Sequence, residues 1–87
     1  MKAYNLISSK GNKVANQIEI YSDDAVYFQS YNSLIVKKYN DGRIELDEYY
    51  WNYSKTTAKY RNYFLNEGIG ETRKKIKDGI YKLVNLN

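Results

Sequence analysis

Hydrophobic and polar residues alternate with period two through the first half of the chain, the pattern of strands with one buried face. Val14, Asn16, Ile18 and Ile20 fall on one side of the first clear run, and Lys13, Ala15, Gln17 and Glu19 on the other. An earlier strand is expected over residues 3–8, turned by Lys10-Gly11-Asn12. After the polar break at Ser22-Asp23-Asp24, residues 25–30 are β-prone, Tyr31-Asn32 reads as a turn, and Ser33 to Tyr39 forms the next run.

Asn40-Asp41-Gly42 is the sharpest local signal, and two hairpin registers compete for it. A two-residue Asp-Gly loop pairs Lys37 with Leu46 and forces a lysine onto the face that Ile44 and Leu46 need to bury. A three-residue loop with Gly42 left-handed pairs Val36 with Leu46 and Lys38 with Ile44. Lys37 then lies opposite Glu45, and Tyr39 opposite Arg43, on the wet face. The second register is the expected one.

Beyond residue 53 the period becomes helical. Ser54 is placed to cap a helix, with Tyr53 before it and Ala58 at the staple position. Ala58, Arg61, Phe64 and Leu65 form one stripe, and Tyr53, Tyr60, Tyr63 and Glu67 the neighbouring one. Gly68 is expected to end this helix as a left-handed cap. A second short helix is expected over residues 70–78, with Ile69, Thr72 and Ile76 inward and Gly79 stopping it. Residues 80–86 alternate as a last strand. The expected architecture is α+β: one domain over residues 1–87, with a small antiparallel sheet packed against a C-terminal helical hairpin and a final strand.

Composition narrows the chemistry. The 87 residues contain neither Cys nor His, so disulfides, thiolate or imidazole catalysis and the usual zinc sites are excluded. No cofactor and no metal is expected. No apolar run reaches membrane-spanning length and no secretory signal opens the chain, which points to the cytoplasm. Catalysis would fall to carboxylates. Asp41, Glu45, Asp47 and Glu48 cluster near the hairpin, but Asp41 belongs to the turn, while Glu45 and Asp47 read as solvent-facing beside Lys37. Gly68-Ile69-Gly70 joins two helices and follows no strand, so it is not a dinucleotide fingerprint. A non-enzyme is expected.

Charge and aromatic content point to binding instead. Residues 1–50 carry six basic and seven acidic side chains, and residues 51–87 eight basic and three acidic, so a net +5 is concentrated in the helical half. Eleven Tyr accompany two Phe and one Trp. Tyr60 and Tyr63, beside Lys55, Lys59 and Arg61, have the makings of a surface that stacks bases and tracks phosphates, or docks a protein. Arg73, Lys74, Lys75 and Lys77 form either an electrostatic patch or a solvated helix face.

Two stretches carry a resemblance. Ser30-Tyr31-Asn32-Ser33-Leu34-Ile35 and Tyr50-Trp51-Asn52-Tyr53-Ser54-Lys55-Thr56-Thr57-Ala58-Lys59-Tyr60 are similar to segments of small proteins encoded by phages and prophages of Gram-positive bacteria. Phe64-Leu65 and residues 71–76 extend the likeness, whose core is the Trp-x-Tyr-Ser-x-Thr-Thr string. The resemblance implies a phage accessory gene product working in the bacterial cytoplasm. With the small size, the missing catalytic side chains and the aromatic-basic second half, the expected function is to bind and inhibit a host nucleic-acid-handling defence complex, a protein or ribonucleoprotein such as a CRISPR effector. Direct binding of single-stranded nucleic acid is the alternative, and a virion structural role is a third class. No functional residue is carried over from the resemblance.

Overall fold

A computed structural model describes residues 1–87 and shows one six-stranded sheet with two helices. The strands are β1 (Lys2–Ile7), β2 (Lys13–Tyr21), β3 (Ala25–Ser30), β4 (Ser33–Tyr39), β5 (Ile44–Asp47) and β6 (Tyr81–Val84). Helices α1 (Lys55–Leu65) and α2 (Ile69–Lys77) lie between β5 and β6 in the chain. Strand order in space follows strand order in sequence. The first five strands form an antiparallel meander, but β6 pairs parallel to β5, with Ile44 beside Tyr81 and Leu46 beside Leu83. The class is α+β as expected; the fully antiparallel sheet is not found. Two helices between β5 and β6 supply the long crossover that a parallel pair requires. Nor do the helices form the expected hairpin: α1 lies across β3, whereas α2 packs along β6.

The register at Asn40-Asp41-Gly42 is the expected one. Val36 pairs with Leu46, Lys37 with Glu45 and Lys38 with Ile44. Gly42 takes φ +97°, and the Tyr39 N–H donates to the Arg43 carbonyl at 2.9 Å. Asp41 stabilises the turn by accepting from the backbone N–H and the Nε of Arg43 at 3.0 and 2.8 Å.

Opposed residues share a face, so this register propagates across the sheet. Glu19, Phe28, Val36 and Leu46 form one row beneath the helices, and Ile20, Tyr27, Lys37 and Glu45 form a row on the opposite, open face. The apolar side of β2 therefore lies on the open face, where Ile18 and Ile20 stay half-buried, and Gln17 enters the core instead. Asn16 adopts φ +66° just before Gln17, and the β1–β2 pairing shifts register between Asn5 and Ile7. A second irregularity serves packing. Phe28 pairs with Val36 but Gln29 pairs with Leu34, so Ile35 is an extra residue and both Ile35 and Val36 are buried.

The core consists of Leu6, Phe28, Ile35, Val36, Leu46 and Tyr81, with Trp51, Tyr60, Phe64, Leu65 and Ile76 closing over it from the helical layer. Phe64 stacks on Phe28 with ring centroids 5.8 Å apart. Ser54 caps α1 as expected, its Oγ accepting from the Thr57 N–H at 3.1 Å. Asn66, not Gly68, takes the left-handed position that ends α1, at φ +57°. Asn tolerates this conformation, and the tight connection leaves Gly68, at φ −91°, to begin α2. Gly79 stops α2 at φ +77°, as expected. No helix is long and apolar enough to cross a membrane.

Candidate partner interface on the helical layer

The helical layer is built around a buried cation. Arg61 sits on the inner stripe of α1 and is fully buried. Its Nη1 donates to the Trp51 carbonyl at 2.7 Å and to Asn52 Oδ1 at 3.0 Å, and its Nη2 donates to Asn62 Oδ1 at 2.8 Å. The segment from Glu48 to Ser54 makes no ladder with a strand, so its carbonyls need donors from elsewhere. Arg61 supplies the donor for the Trp51 carbonyl and stacks over the Trp51 ring at 5.4 Å. Burial lowers its pKa, the nearby Arg73 charge lowers it further, and Glu67 opposes both. Arg61 is therefore not available to a partner, which corrects its assignment to the binding surface. Its two Nη groups hold the β5–α1 junction to the helix, while its buried Nε has no partner.

Two carboxylates are likewise committed. Asp47, expected on the wet face, is buried. Its Oδ2 accepts from the N–H groups of Tyr49 and Tyr50 at 3.0 and 2.8 Å, and its Oδ1 from Leu86 N–H and Asn87 Nδ2 at 2.9 and 3.0 Å. Burial opposes its charge, but these four donors hold its pKa below the usual carboxylate value. Glu67 accepts from Thr72 Oγ1 at 2.6 Å, Lys75 Nζ at 2.7 Å and Tyr81 Oη at 2.8 Å. Burial again acts against its charge, and the three bonds together with the Lys75 ammonium outweigh it. The partner raises the Lys75 pKa in turn. Lys75 is thus a strut between α2 and the α1–α2 connection and not a free surface cation.

The other expected site residues lie outside. Lys55, Lys59, Arg73, Lys74 and Lys77 are exposed, and none has a carboxylate within salt-bridge distance. Lys59 lies 5.2 Å from the Tyr60 ring, and Arg73 5.9 Å from Trp51. Tyr63 is 58% exposed, whereas Tyr60 is half-buried against the core. Lys74, Lys75 and Lys77 occupy the last turn of α2 and Glu71 the first, an arrangement that also complements the helix dipole.

Reading the chain for stripes missed a second feature of this layer. A cleft of about 580 Å³ opens between the β3–β4 turn and the β5–α1 junction. Tyr31, Asn32 and Ser33 come from one side, and Tyr50, Tyr53 and Thr56 from the other. The floor is Ile35 with three linked hydroxyls: Ser30 and Thr57 oxygens lie 2.9 Å apart, and Ser54 Oγ donates to Thr57 Oγ1 at 3.2 Å. Tyr31 and Tyr53 are 52% and 61% exposed, and Tyr49, Tyr50 and Tyr53 form one aromatic group with centroids 4.7–6.3 Å apart. The lining residues fall in two stretches, 30–35 and 50–57, that only the fold brings together.

The model of a family of unknown function, DUF8033, matches residues 1–81. The chain belongs to this family. The match spans the whole sheet meander, both helices and the cleft, and it assigns no activity. No curated protein and no solved structure matches the chain.

Proposed function

We propose that this protein is a non-catalytic binding protein whose helical layer docks on a nucleic-acid-handling complex. The resemblance to phage accessory proteins directs this reading to a host defence complex, a CRISPR effector among them, met in the bacterial cytoplasm. The observation that carries it is the set of five exposed cations on α1 and α2 with no carboxylate partner. Unpaired lysines also stand on the strands and turns, at Lys2, Lys10, Lys13, Lys38 and Lys82, but residues 51–87 hold eight basic against three acidic side chains, so the net positive charge is concentrated in the helical half. Such a field raises encounter rates with polyanions and acidic protein surfaces. A second reading, direct binding of single-stranded nucleic acid, is favoured by the exposed tyrosines beside these cations.

Pull-down from a bacterial lysate, with and without nuclease, tests both, using wild type and an Arg73→Glu/Lys77→Glu variant. A specific protein partner retained after nuclease and lost with the variant supports docking on a complex. Loss on nuclease treatment alone supports direct nucleic-acid binding. Equal capture by wild type and variant removes the helical surface from consideration.

A further inference from the structure

We propose that the cleft between the β3–β4 turn and the β5–α1 junction is a pocket for one unpaired nucleobase, held between Tyr31 and the Tyr50–Tyr53 pair. The inference deepens the nucleic-acid reading above and rests on it for the source of the base.

The chemistry of the walls defines the ligand class. No Asp, Glu, Lys or Arg lines the cleft, so its walls offer no charge to pair with and suit an uncharged group. Tyr31, from the β3–β4 turn, and Tyr53, from the β5–α1 junction, both line the cleft and remain more than half exposed, although the buried Ile35 lies beside them. Exposed tyrosines on both walls of an uncharged gap suit a flat, polarisable group. The polar groups divide into two sets. Ser30, Ser54 and Thr57 satisfy one another, Ser30 and Thr57 being buried, and the Ser54–Thr57 contact is itself the cap of α1. Asn32, Ser33 and Thr56 have no side-chain hydrogen bond to the protein and stand at the edges, placed to read donors and acceptors on a base edge. Tyr31 is held at φ +56° in the turn, which fixes its backbone on the rim at a conformational cost that an ordinary turn residue would avoid.

The source of the base follows from what surrounds the cleft. Lys55 lies between the lining residues Ser54 and Thr56, with Lys59 one turn further along α1, and neither has a carboxylate partner. A strand with its base in the cleft would run its phosphates past these two lysines. A neutral sugar matches the walls but leaves the flanking cations unused, so the nucleobase accounts for more of the site.

The test is fluorescence anisotropy at low salt, with a short oligothymidylate and an abasic strand of equal length. Wild type is expected to prefer the base-bearing strand. Tyr53→Ala and Tyr31→Asn, the latter chosen because Asn tolerates positive φ, should each weaken oligothymidylate binding roughly five- to 150-fold, the range for one stacked base. Both variants should bind the abasic strand as wild type does and should melt like wild type. Lys55→Ala should weaken both strands alike and reduce the dependence on salt. Equal affinity of wild type for the two strands overturns the pocket and leaves the electrostatic reading intact. No binding of either strand at low salt overturns both. Should either tyrosine variant melt much earlier than wild type, competition by free thymidine for the wild-type protein decides: displacement of oligothymidylate supports the pocket, and none overturns it.

Discussion

Truncating Arg61 to Ala should destabilise the protein more than any change on the helical surface, because its guanidinium is the only donor to three acceptors at the β5–α1 junction. Hydrogen bonds from a charged donor contribute about 1.5–3 kcal/mol each, and they are not additive within one group. The Asn52 and Asn62 amides lie near the surface and can turn to water, so most of their share is recovered. The Trp51 carbonyl is fixed by the backbone, and the truncation also leaves a void beneath the Trp51 ring. Against these losses stands the burial cost of a guanidinium with no carboxylate in contact, which the substitution relieves. The balance comes to about 3 kcal/mol. A domain of this length has a total stability of roughly 4–13 kcal/mol, so the fraction lost is large. At about 4–8 °C per kcal/mol for a domain of this size, Tm should fall by roughly 12–24 °C. Circular dichroism melts of wild type, Arg61→Ala, Arg61→Lys and Tyr63→Ala provide the measurement. Lys keeps the charge but not the fork, so Arg61→Lys should fall between wild type and Arg61→Ala. Tyr63→Ala, at a position 58% exposed, should shift stability by about 0.5 kcal/mol or less. An Arg61→Ala protein melting within about 4 °C of wild type would refute this account of the junction.

Three further outcomes are expected. Phe64→Ala should cost roughly 2–3 kcal/mol in urea denaturation, less than the about 3–5 kcal/mol of fully buried phenylalanine truncations, because Phe64 stacks on Phe28 but is only half-buried; a loss under 1 kcal/mol would place it outside the core. Gln17→Met should raise Tm by about 4–8 °C, since the Gln17 amide is buried with neither its nitrogen nor its oxygen partnered; a lower Tm would mean that the amide has a partner in solution. Asp47 and Glu67 titrate below their ordinary values of 3.8 and 4.5, so the unfolded chain binds more protons through that range. Their contribution is complete above pH 5 and declines as the pH falls through 4 toward the depressed pKa values. The drop in urea midpoint between pH 7 and pH 3 should be smaller for Asp47→Asn than for wild type, and an equal drop would show that Asp47 does not carry the acid sensitivity.

Local interactions made some features of this fold legible in the residues alone. The Asn40-Asp41-Gly42 register follows from keeping Lys37 off the buried face, and it holds because only one pairing puts both Val36 and Leu46 inward. The Ser54 cap and the Gly79 stop are decided within a few residues by hydrogen bonding and backbone sterics. The sites of binding chemistry are non-local. The Ile18–Ile20 side of β2 reads as core-facing, yet the register with β3 turns it to the open face and takes Gln17 inward. Arg61 lies on a stripe with Phe64 and Leu65, and whether that arginine is buried depends on acceptors nine and ten residues away. Asp47 is drawn inside by Leu86 and Asn87, and this happens only because β6 returns parallel to β5. Tyr31 and Tyr53 are twenty-two positions apart, and no periodicity relates them. Both line one cleft because α1 packs against β3 beside the turn that carries Tyr31, a placement held by the Phe64 ring stacked on Phe28.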